Sequence, residues 1–169
     1  MAVTFQWYNA YSIHDPVIDK EHRELLCLAN ELFAIANPLK ERERFRVALK
    51  QLLTCLESHF IHEEQLMTIV DFPDRRVHFT RHDEIIDQMN TLLKSCKSLG
   101  ELSGKLKDFM QHSILKHIAQ EDKKIAASVV LSRARKSCRK AAIGSAESRS
   151  LVTCPMPERR QGWAFLGQL

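Results

Sequence analysis

Histidines and glutamates crowd one short stretch of the sequence, HFIHEEQLMTIVDFPDRRVHFTRH, which runs from His59 to His82. Four histidines and two adjacent glutamates lie on either side of a Phe-Pro break. Imidazole nitrogens and carboxylate oxygens are common ligands of transition metals. Residues four apart on a helix share one face, so His59 with Glu63, and His78 with His82, can each reach a common metal centre.

Three further ligand-type residues stand where the helical pattern expects core residues. His22 comes one turn before Leu25 and Leu26, and His117 and Asp122 lie on the apolar face of a later helical segment. Burying such groups in an apolar core is unfavourable by several kcal/mol unless they are paired or bind a metal. The candidate metal ligands are His22, His59, Glu63, His78, His82, His117 and Asp122.

Other polar residues near the candidates are excluded as ligands by the row of residues that shares a helix face with each of them. Asp122 continues the row of Ile118 and Ile125, whereas Glu121 leads to Lys124, so Asp122 is the inward residue. Glu63 is favoured over Glu64 because the row of Glu64 is polar. We place His62 at the surface or behind the ligands, and Cys55 in a packing role. His112 has charged neighbours, and His14 has no partner at helical spacing.

Apolar residues at three- and four-residue intervals predict four amphipathic helices within residues 1–130, and no strand pattern is seen. The first helix should begin near Asp19 and end before Pro38. The second carries apolar residues from Phe45 to Val70, with His59 and Glu63 among them. The third runs through His78 and His82 to Cys96. After a loop around Gly100 and Gly104, the fourth carries Leu106 to Val129.

Short connections between such helices predict an all-α, up-down antiparallel four-helix bundle. In that topology the starts of helices one and three lie beside the finishes of helices two and four, so all seven candidates should meet at one end. Any one of these histidines alone would more often be a surface or hydrogen-bonded core residue. It is the conjunction of all seven that favours a metal site.

Five imidazoles and two carboxylates leave the choice among iron, zinc, manganese and nickel open. If two octahedral metals shared both carboxylates and a bridging hydroxide, one coordination position would stay vacant. A single vacancy among Leu, Ile, Phe and Met side chains suits a small diatomic ligand better than an organic substrate.

The motifs resemble those of the hemerythrins, in particular the single-domain bacterial type. They are Trp7, IDKEH ending at His22, HFIHEEQLM, HFTRH and HIAQED, and the resemblance covers about residues 5–130. It implies two iron ions, one held by His78, His82 and His117 and the other by His22 and His59, with Glu63 and Asp122 bridging. It implies reversible binding of dioxygen at the two-histidine iron, and no enzyme. Sensing of oxygen, redox state or iron is the alternative, and weak peroxide or nitric-oxide turnover is a third.

Charge distinguishes the bundle from the C-terminal part of the chain. The net charge is +4, but residues 131–169 hold eight Lys and Arg against two Asp and Glu. We expect a basic C-terminal extension over 131–169, outside the bundle domain of residues 1–130, that need not be ordered. The five cysteines are widely spaced and are expected to be reduced thiols. A cytoplasmic protein is expected, with no membrane span and no nucleic acid on the bundle, and the sequence does not name a protein partner.

Overall fold

Helices make up the computed structural model, which describes residues 4–142. The helices are α1 (Pro16–Phe33), α2 (Arg42–Ile69), α3 (Arg75–Ser95), α4 (Leu99–Phe109), α5 (Leu115–Gln120) and α6 (Ala126–Ala142). A π-helical segment, Met110–Ile114, joins α4 to α5, and a 3-10 segment, Asp122–Ile125, leads into α6. The long helices α1, α2 and α3 and the composite fourth helix form the predicted four-helix bundle.

Helix α1 begins three residues earlier than predicted because its first turn is capped. The Asp15 side chain accepts hydrogen bonds from the Val17 and Ile18 backbone N–H groups. Pro16 occupies the first turn, where its fixed φ is compatible with a helix and its missing N–H is not needed. The early start places Asp19 inside the helix, where it accepts hydrogen bonds from Ile13 N–H and Ser12 Oγ–H and so holds the N-terminal segment.

The loop predicted around Gly100 and Gly104 is wrong, since both glycines lie inside α4. Ser98 caps this helix by accepting a hydrogen bond from Glu101 N–H, and the Glu101 carboxylate reaches back to accept one from Lys97 N–H. These two bonds satisfy N–H groups that a helix start leaves open. The capped start therefore outweighs the roughly 1 kcal/mol by which each glycine disfavours a helix.

The hydrophobic core is divided into two parts along the bundle. The larger cluster includes Leu25, Leu52, Phe60 and Ile118, and the smaller one consists of Met67, Phe72, Ile125 and Val129. Along α2 and along the fourth helix, the candidate ligands lie between these two clusters. Apolar side chains therefore close the bundle on both sides of the polar residues.

Helix α6 extends beyond the packed part of the bundle. Val129 is buried, whereas all residues from Arg133 to Arg139 are exposed. The boundary predicted at residue 130 falls inside this helix, and the separate extension from 131 to 169 stays a prediction, of which residues 143–169 lie outside the described part. None of the helices in residues 4–142 is long and apolar enough to cross a membrane.

Candidate metal centre

The seven candidate ligands converge at one end of the bundle, and all of them are buried. Ligand atoms of Glu63, His78, His82, His117 and Asp122 lie within 4.8 Å of one another. Ligand atoms of His22, His59, Glu63 and Asp122 form a second group, which also lies within 4.8 Å. Glu63 and Asp122 belong to both groups, so two adjacent centres share two carboxylates.

The first centre has three imidazole nitrogens facing one another. His82 Nε2 lies 3.1 Å from His78 Nε2 and 3.1 Å from His117 Nε2. One ring nitrogen carries either a single proton or a single lone pair, so His82 Nε2 cannot be satisfied by both neighbours. His82 Nε2 and His78 Nε2 also each lie 3.2 Å from Glu63 Oε2. Such crowding of lone pairs and carboxylate oxygens is what a cation in their midst would stabilise.

The second centre is formed by two histidines from neighbouring helices. His22 Nε2 lies 3.1 Å from Asp122 Oδ2, and the His22 and His59 rings have centroids 4.7 Å apart. His59 Nε2 and Glu63 Oε1 are buried and have no hydrogen-bond partner among residues 4–142. Unpartnered buried polar atoms are rare in proteins and call for an explanation. These atoms fit a metal ion, which would accept both lone pairs.

The electrostatics of the site favour positive charge among the ligand residues. Burial would raise the pKa of Asp122, but the charge of His117 and the close contacts with the His117, His22 and His78 rings hold it well below its usual range. Burial would lower the pKa of His78, but hydrogen bonds with Asp122 and Glu63 raise it to about 10. A proton on His78 therefore offsets part of the carboxylate charge, and a divalent cation would replace it.

Two further carboxylates, not predicted as part of the site, contact the outer nitrogens of the ligand histidines. His82 Nδ1–H donates to Glu64 Oε1 at 2.9 Å, and Glu64 is buried, contrary to its predicted polar row. His59 Nδ1 lies 3.4 Å from Glu21 Oε2. An acceptor at Nδ1 selects the tautomer whose Nε2 lone pair points at the metal position. The signal in the sequence was an acidic residue directly beside a ligand, at positions 64 and 21.

The residues excluded as metal ligands from the sequence lie outside the two groups of ligand atoms. His62 is exposed and bonds Glu21, as expected for a residue behind the ligands. His112 is exposed and contacts the Asp108 carbonyl. His14 is exposed. Cys55 is partly buried, packs against the core, and its pKa is raised by burial to about 12, so it stays a neutral thiol.

Two aromatic side chains pack against ligand histidines. Phe60 is 1% exposed and stacks on His82 with ring centroids 3.9 Å apart. The Trp7 ring lies 6.0 Å from that of His22, on the other side of the site. Apolar walls keep water from the ligand atoms and lower the local dielectric, which strengthens their interaction with a cation.

Comparisons with known proteins agree with this arrangement. The family model "Hemerythrin HHE cation binding domain" matches residues 15–129. A bacteriohemerythrin of Campylobacter jejuni is 28% identical over 115 residues, which is 68% of this chain and 86% of that protein. A hemerythrin-like protein of Naegleria gruberi is 27% identical over 120 residues, 71% of this chain and 89% of that protein. No solved structure matches the chain significantly.

Proposed function

Because the chain belongs to the hemerythrin family, we propose that it holds two iron ions at the shared centre and binds dioxygen reversibly. The observation that carries the proposal is that Glu63 and Asp122 are common to both groups of ligand atoms. Two carboxylates between a three-histidine and a two-histidine group are suited to bridging a pair of metal ions. Imidazole and carboxylate ligands suit iron, and the family membership selects it from the metals that this donor set accepts.

The residues have distinct roles in this proposal. His78, His82 and His117 would hold one iron, His22 and His59 would hold the other, and Glu63 and Asp122, which belong to both groups of ligand atoms, would be shared. A bound ferrous pair supplies the electrons that reversible dioxygen binding requires. His22 and His59 provide fewer ligands than the other set, so we place the dioxygen position on their side. Phe60 and Trp7 exclude water and keep the site small.

Binding fits this site better than catalysis on an organic substrate. His22, Glu63, His82 and Asp122 are fully buried, which favours a small ligand over an organic substrate. A substrate of several heavy atoms would need an open cavity at the metal position. We therefore propose oxygen storage, delivery or scavenging, with dioxygen as ligand, and not an enzyme.

Anaerobic reconstitution tests this function directly. The full chain is loaded with ferrous iron under nitrogen, the iron per chain is counted, and the visible spectrum is recorded before and after oxygen is admitted. We expect two irons per chain and a charge-transfer band that appears with oxygen and disappears when it is removed. Irreversible oxidation would contradict reversible binding, and failure to bind iron would contradict the metal centre.

A second candidate function is sensing, in which the metal or oxygen state alters a partner contact through α6. Its support is that Asp122 opens the 3-10 segment leading into α6. Arg133 of α6 donates to the His14 carbonyl and lies 3.2 Å from Asp15, the cap of α1. A sensor predicts that hydrogen exchange along α6 differs among apo, di-ferrous and oxygenated protein. Equal exchange in the three forms would leave oxygen binding as the function.

A further inference from the structure

The carboxylates that contact the outer nitrogens of the ligand histidines orient the two groups of ligands unequally. Glu64 is 6% exposed, and its Oε1 accepts the His82 Nδ1–H bond at 2.9 Å. Glu21 lies farther from its histidine, with 3.4 Å between its Oε2 and His59 Nδ1. N–H···O hydrogen bonds in proteins usually span about 2.7–3.2 Å, so the Glu21 contact is longer than usual. Glu64 therefore orients its ligand more firmly than Glu21 does.

Glu21 is also divided between two histidines. Its Oε1 lies 2.5 Å from Nδ1 of His62, a side chain that is 47% exposed. The shorter contact is thus with the surface histidine, and the longer one with the buried ligand His59. Because Glu21 contacts both histidines, the orientation of the buried His59 is linked to a side chain at the surface of the protein.

Surface grooves on the two sides of the site do not by themselves distinguish the two positions. An open groove between α1 and α2 is lined by Glu21, Glu24 and Cys55, and a second groove reaches His117 from the other side. The difference lies in the number of imidazoles and in the carboxylates that orient them. Both differences disfavour the position held by His22 and His59.

We infer that Glu21 and Glu64 are positioning residues for the two metal positions, and that the His22–His59 position holds its metal more weakly than the three-histidine position. The inference rests on the proposed two-metal centre but not on oxygen binding. Residues that orient a ligand histidine typically change metal affinity by roughly 10- to 100-fold when they are replaced. His62 acts one step further out, through Glu21, so its replacement should have a smaller effect at the same position.

A competition titration with Co²⁺ alone, on the full chain and against a chromophoric chelator, tests this. The unchanged protein should bind two Co²⁺ ions with two resolved affinities. His59→Ala identifies the weaker one by abolishing it. Glu21→Gln should lower the weaker affinity by roughly 10- to 100-fold and leave the tighter one in place, and Glu64→Gln should lower the tighter one.

Matched controls separate positioning from loss of fold. Glu24→Gln removes a charge one turn along α1 in the same groove and should leave both affinities unchanged. Unfolding of each metal-free variant, followed by circular dichroism, shows whether Glu21→Gln has merely destabilised the bundle. Two equal affinities, or an effect of Glu21→Gln on the tighter site, would overturn this inference but not the proposed metal centre. No bound Co²⁺ would overturn the proposed metal centre as well.

Discussion

Asp122 Oδ1 lies 2.9 Å from His117 Nε2 although the two residues are five positions apart. In a continuous α-helix, such residues point about 140° away from each other. The chain avoids this because α5 ends at Gln120 and a 3-10 segment begins at Asp122. No oriented hydrogen bond joins the two atoms within the described part of the chain. Their close approach is what a shared metal ion would explain.

Asp122→Asn should abolish binding at both metal positions, because Asp122 lies in both ligand groups. The amide keeps the shape but loses the negative charge and one acceptor. We expect well under one tightly bound iron per chain. Glu121→Gln is the control, since the adjacent Glu121 pairs with Lys124 at the surface. Equal iron content in the two variants would contradict the bridging role.

Gly104→Ala should stabilise the metal-free protein. Gly104 lies inside α4, and nothing lies within 4 Å of the position an added Cβ would take. Alanine in an exposed helix is favoured over glycine by about 0.5–1 kcal/mol. Urea denaturation should show a gain in the free energy of unfolding of that size. A loss of stability would mean that the predicted loop, and not the helix, describes this segment in solution.

Metal binding should release protons at pH 7, because the pKa of His78 in the metal-free protein is raised to about 10. His78 is then protonated at pH 7 and must lose its proton to act as a ligand. Apparent metal affinity should therefore rise as the pH increases. Calorimetric titration in two buffers of different ionisation enthalpy measures the protons released. An identical heat in both buffers would contradict this.

The raised pKa of His78 also makes the stability of the metal-free protein depend on pH. A histidine whose pKa is higher in the folded state stabilises that state fully below its unfolded pKa, near 6.5, and no longer above its folded pKa, about 10. The metal-free protein should thus lose stability as the pH rises between these values. The loss should be smaller in His78→Gln when both are unfolded with urea at pH 6 and pH 10.

Phe60→Leu should shorten the lifetime of the oxygenated protein. Phe60 stacks on His82 and is almost completely buried, so a smaller side chain opens space beside the ligand. We expect a cost of ~1 kcal/mol in stability and oxidation that is several-fold faster, because water reaches the site. The decay of the visible band measures this. Phe79→Leu, on the smaller cluster at the far side of the site, is the control and should leave the decay unchanged.

Much of the fold could be predicted from spacing alone. The stripe Phe45, Leu49, Leu52 and Leu56 is buried as expected, because a three- and four-residue rhythm places these side chains on one face of a helix. Glycine content was misleading at positions 100 and 104, where a capping hydrogen bond from Glu101 N–H to Ser98 Oγ stabilises the helix start. Caps act through local geometry that a count of glycines does not reveal.

Residue spacing was enough to show which side chains share a helix face. Together with short connections, it predicted that seven ligand-type residues lie at one end of an all-α bundle. The packed helices were needed to show that Glu63 and Asp122 each face two groups of histidines. They were also needed to show that Glu64 turns inward to His82 and that Glu21 is divided between His59 and His62. Helix periodicity specifies direction around one axis, whereas distances between side chains of different helices depend on how those axes pack.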